Sequence, residues 1–111
     1  MPEDNSGNEV PQSVRMVDPV AASGITLAMA TSGNDYTQTL SQGQMYAVTF
    51  VATAGKVMFA SITGVTSTAA NIEHVWMANV EYIFRMPMGK TTLYCECNEN
   101  TMNAYFRKVA E

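Results

Sequence analysis

A chain of 111 residues has the usual size of one domain, so a single hydrophobic core is expected and a second domain is excluded. The formal net charge of -4, with only six Lys and Arg, excludes the basic stripe that a nucleic-acid partner requires. No apolar run approaches the roughly 18–20 residues that cross a bilayer as a helix, and the opening residues carry acids where a signal peptide carries bases. No membrane partner is therefore expected, and synthesis in a cytoplasm is.

Residues 1–23 read as an extended N-terminal arm. Pro2, Pro11 and Pro19, with Gly7, interrupt any sustained period of 2 or 3.6. Val10, Val14, Met16, Val17 and Val20 are sparse apolar anchors along this polar strap, and they are the expected contact points for a partner protein. Glu3, Asp4, Glu9 and Asp18 against Arg15 leave the arm at -3, most of the net charge of the chain.

Residues 24–111 read as one β-sandwich of about seven or eight strands, because short apolar-alternating runs are separated by turn residues. The first run is 25–30. A Ser32-Gly33-Asn34-Asp35 turn leads to 36–40, and Ser41-Gln42-Gly43 leads to the strongest run, 44–53. There Tyr46, Val48, Phe50 and Ala52 share one face and Met45, Ala47, Thr49 and Val51 the other; two largely apolar faces predict a central strand. Ala54-Gly55 reads as a short hairpin turn into 56–62.

Residues 64–79 are harder to read. Ala69, Ile72, Val75, Trp76 and Asn79 recur near helical spacing, while β-branched residues and Asn oppose a long helix, so a loop with at most one helical turn is expected. Alternation resumes over 80–86, with Val80, Tyr82, Phe84 and Met86 facing inward and Glu81 and Arg85 outward. Pro87-Met88-Gly89-Lys90 forms a turn, and runs 91–97 and 102–109 complete the set.

Residues able to do chemistry are few. His74 is the only histidine, and no nucleophile stands at motif spacing from it, so no enzyme activity is expected. Cys95 and Cys97 fall on one face of a strand, about 6.6–6.8 Å apart along it. That is too far for a strand-internal bridge, so both read as buried free thiols. They lack paired C-x-x-C spacing, and neither a metal nor a cofactor is expected.

The charged fraction is the most informative feature of the composition. Only 14% of residues are charged, against about 25% in soluble domains, and between Pro19 and Ile72 only Asp35 and Lys56 carry charge. Such a Thr- and Ser-covered stretch reads as surface that meets other protein, although a Thr-rich β surface would look the same. Trp76, in a loop with His74 and Met77, reads either as an interface anchor or as a lid over one end of the core.

The runs Val80-Glu81-Tyr82-Ile83-Phe84-Arg85-Met86-Pro87-Met88-Gly89, Thr91-Thr92-Leu93-Tyr94 and Ala104-Tyr105-Phe106-Arg107-Lys108-Val109 resemble the small head decoration, or cement, proteins of tailed bacteriophages. The resemblance covers about a third of the chain and has no counterpart for the acidic arm. It implies a jelly-roll or related sandwich on the virion capsid exterior, a homo-oligomer and commonly a trimer, bound to the major capsid protein and locking the head lattice. A second class of function is a tail-fibre or adhesin module, in which Trp76 with Asn71 and Asn79 would hold a carbohydrate.

Overall fold

The computed structural model describes residues 20–66 and 69–110, and they form two four-stranded antiparallel sheets packed face to face. The strands are β1 (Ile25–Met29), β2 (Tyr36–Thr39), β3 (Met45–Val51), β4 (Val57–Ser61), β5 (His74–Met77), β6 (Glu81–Arg85), β7 (Thr92–Cys97) and β8 (Met102–Lys108). One sheet has the order β1-β8-β3-β6 and the other β2-β7-β4-β5. A single 3₁₀ turn, Ala69–Asn71, is the only helical element among the described residues.

The pairing is nested. β1 pairs with β8, β2 with β7, β3 with β6 and β4 with β5, while β3·β8 and β4·β7 join these pairs side by side. The physical reason lies in the alternation. Leu27, Met29, Val48, Phe50, Ala104 and Phe106 on one sheet meet Met58, Ala60, Trp76, Leu93, Cys95 and Cys97 on the other, all buried. Two sheets stacked about 10 Å apart remove those faces from water together.

Three expectations are corrected. The Ala54-Gly55 turn does not close a hairpin, because β3 and β4 belong to different sheets and the turn carries the chain across the gap between them. Lys56 N donates to Thr53 O at 3.1 Å there, and Gly55 takes a φ of 92°. The stretch 64–79 contains a strand, β5, as well as one helical turn. Val80 is exposed and stands outside β6: Asn79, at a φ of 65°, breaks the alternation just before it.

Three tyrosines fasten the turns in one repeated way. The hydroxyls of Tyr36, Tyr46 and Tyr82 each accept the backbone N–H five residues upstream, from Thr31 (2.9 Å), Ser41 (2.8 Å) and Met77 (3.0 Å). Their rings meanwhile sit in or against the core.

Candidate protein-docking face

On every strand of a sandwich the side chains that do not enter the core form the outer face, and here that face is unusual on the β1-β8-β3-β6 sheet. Alternation places Thr26 and Ala28 (β1), Asn103, Tyr105 and Arg107 (β8), Met45, Ala47, Thr49 and Val51 (β3) and Glu81, Ile83 and Arg85 (β6) on it. Three of these twelve are charged. Val51, Ile83 and Tyr105 are each between 42% and 45% exposed, so sizeable apolar area meets solvent on one continuous sheet.

A shallow groove of about 270 Å³ runs over the same face, lined by Thr26, Ala47, Thr49, Glu81, Tyr105 and Arg107 among others. Small side chains in the middle strands make it: Ala47 and Thr49 stand between the taller Tyr105, Arg107 and Glu81. Its volume falls below the roughly 300–1,000 Å³ of small-molecule sites. On the opposite sheet Val75 and Met77 are exposed at the edge strand β5, paired across to Phe59 and Val57.

Trp76 is 5% exposed and is part of the core cluster. His74 stacks on it with ring centroids 5.1 Å apart, and Phe84 and Tyr82 lie 5.1 and 6.1 Å away, so four aromatic rings close one side of the sandwich. This is the enclosed position of the two expected for Trp76. Asn79 is engaged with the backbone of Ala52 and Asn71 with the carbonyl of Val65, so neither amide faces an exposed aromatic platform.

Of the arm residues, Val10, Val14, Met16 and Val17 lie outside the described residues. Val20 is described and 38% exposed, and its amide donates to Lys108 O at 2.9 Å. Ser23 completes this fastening: its hydroxyl donates to Val20 O (2.6 Å) and accepts from Lys108 N (3.1 Å).

Glu73, Thr66 and Asp35 tie loops to the sheets. The Thr63 hydroxyl and the Ile62 amide both donate to the Glu73 carboxylate, pinning the two ends of the β4–β5 connection. Partial burial opposes the charge of Glu73, but these hydrogen bonds and the neighbouring His74 outweigh it and hold the carboxyl below its ordinary range. Thr66 Oγ1 lies 2.7 Å from Asp35 and 2.9 Å from Glu96, tying a second loop to the sheet. Cys95 and Cys97 are free and buried, and that burial, with Asp35 and Cys97 nearby, pushes the Cys95 thiol far up.

Among the described residues no three His, Cys, Asp or Glu are gathered to hold a metal ion, and no helix is long and apolar enough to cross a membrane. Compared with known proteins, the chain matches no family model, no curated protein and no solved structure. Sequence reasoning missed Ile83 and Tyr105 as surface residues of the site. The signal was available in the alternation itself, which sets them on the face opposite Phe84 and Phe106.

Proposed function

We propose that this chain is a non-enzymatic structural protein of a virion, a decoration protein that seats on the capsid exterior, contacts the major capsid protein and reinforces the head lattice. The observation that carries the reading is the outer face of the β1-β8-β3-β6 sheet, where Val51, Ile83 and Tyr105 stand exposed amid Thr and Ala with few charges. Such a surface is suited to burial against protein.

The finer fold reading is a jelly roll. Support comes from the nested pairs β1·β8, β2·β7, β3·β6 and β4·β5, the pattern made when one long hairpin is rolled into two sheets. Jelly rolls recur in viral capsid proteins and also in lectins, so the fold by itself decides nothing about role. Against the lectin-like reading stands the burial of Trp76, the side chain on which a sugar was to stack.

Electron cryomicroscopy of virions produced with this chain is the test. Sandwich-shaped density on the outer lattice is expected, with Tyr105→Glu and Thr49→Arg variants lowering occupancy at least about tenfold by disturbing a desolvated contact. Virions that lack the chain, or that bind both variants at full occupancy, would overturn the assignment. Deleting residues 2–20 measures in the same preparations whether the arm acts as a clamp on the capsid.

A further inference from the structure

One of the two edge strands of the first sheet, β6, has β3 on one side and no strand among the described residues on the other. Its sequence, Glu81-Tyr82-Ile83-Phe84-Arg85, is self-complementary when read in the opposite direction. An antiparallel copy centred on Ile83 sets Ile83 against Ile83, Tyr82 against Phe84, and Glu81 against Arg85 twice. Shifting the copy by two residues in either direction loses both ion pairs.

Backbone geometry offers the same centre. Met86 N donates to Gln44 O at 2.9 Å, and antiparallel ladders alternate, so Phe84 and Tyr82 also turn their amides and carbonyls toward β3. The N–H and C=O of Ile83 therefore face the open edge, with Glu81 and Arg85 of the same parity on either side. A two-fold axis through Ile83 makes it a hydrogen-bonded pair with its own symmetry mate. Pro87, lacking an N–H, stops the ladder just past this segment.

We propose that β6 is a homodimer interface, at which two copies of this chain pair antiparallel about Ile83 into one continuous eight-stranded sheet. The occupant of the edge is a second copy because of charge. A strand edge guarded by one sign of charge repels itself, whereas Glu81 and Arg85, placed symmetrically about Ile83, attract a reversed copy. The Arg85 guanidinium also donates to Gly43 O at 2.8 Å, which fixes its side chain beside β6.

The interface is isologous and closes at two copies, unlike the trimer that the decoration-protein resemblance implied. It stands independently of the proposed virion role. The axis runs perpendicular to the sheet, so the outer faces of both copies point the same way and remain open to a larger partner.

Sedimentation equilibrium of the full chain from about 1 µM to about 1 mM is the experiment. Glu81→Arg or Arg85→Glu alone opposes like charges twice and is expected to weaken the dimer about tenfold or more, while the double exchange restores it. As a second variant, Ile83→Cys with oxidised glutathione is expected to give a disulfide-linked dimer. Hydrogen-bonded antiparallel pairs lie about 5.5 Å apart at Cα, within disulfide reach. The native thiols are buried and do not compete. A chain that stays monomeric throughout, a dimer indifferent to both single reversals, or an Ile83→Cys variant that never cross-links would each overturn the proposal. None of these results depends on virions.

Discussion

Tyr46 shows how much a single atom does in this molecule. Its ring is 1% exposed, and its hydroxyl is the acceptor for Ser41 N at the turn before β3. Tyr46→Phe keeps the ring and strands the amide, so a loss of about 1–3 kcal/mol is expected in urea-denaturation midpoints. Trp76→Ala should be more severe, about 3–5 kcal/mol by the same measurement, because it empties a core position touched by three aromatic rings. An unchanged stability would show that the indole contributes little to the packing it joins.

The thiols give a pH prediction with a definite sign. Burial raises the pKa of Cys95 and of Cys97 in the folded chain, so unfolding lets them ionise at the ordinary value of about 8.5. Their contribution is complete below that pH, and stability should decline as pH climbs past it. Ellman's reagent at pH 8 should find both thiols only after denaturant is added. That the cysteines are inert was legible in the i, i+2 spacing on a strand. The tyrosine latches were not, because each partner is a backbone amide in or beside a turn that the sequence does not mark.

At the scale of elements, strand existence was more legible than strand partnership. The run around Tyr46, Val48 and Phe50 announced a central strand, and β3 does lie between β8 and β6. β5 was obscured because four residues, His74–Met77, are too few to establish alternation, while Ile72, Val75 and Trp76 imitate a helical stripe. The crossing at Ala54-Gly55 was read as a hairpin because a tight turn between apolar runs looks the same whether its strands pair or separate. Only the nested pairing tells the two apart.

The same region supplies an acid-limb prediction. Glu73 holds the ends of the β4–β5 connection as a carboxylate, with a folded pKa below the ordinary value, so its stabilisation is present above about pH 4.5. It is lost as pH falls through the depressed value. Urea midpoints at pH 7 and pH 3 should therefore differ less in Glu73→Gln than in the parent chain. Equal differences in both would mean that the loop does not depend on this charge.

For the whole molecule, topology sets the pace of folding. β1 pairs with β8, Ile25 with Phe106, so the first sheet is complete only when segments about 80 residues apart have met. Chains dominated by such distant pairings fold in roughly milliseconds to seconds, and stopped-flow tryptophan fluorescence of Trp76 should report that range. Microsecond folding would contradict the nested arrangement. At this scale an all-β chain of about eight strands in two sheets was legible in the sequence, and the candidate face only partly. Low charge density raised the expectation of a surface that meets other protein, but which sheet carries the exposed apolar side chains depends on pairings between residues too distant for local patterning to register.

The bond from Val20 N to Lys108 O has a practical side. The leading and trailing ends of the sandwich leave it as neighbours, on one rim, about a strand's width of 4.8 Å apart. Peptides grafted onto either end would emerge together from that rim, and a short bridge between them would turn the sandwich into a closed loop that could be reopened at any turn.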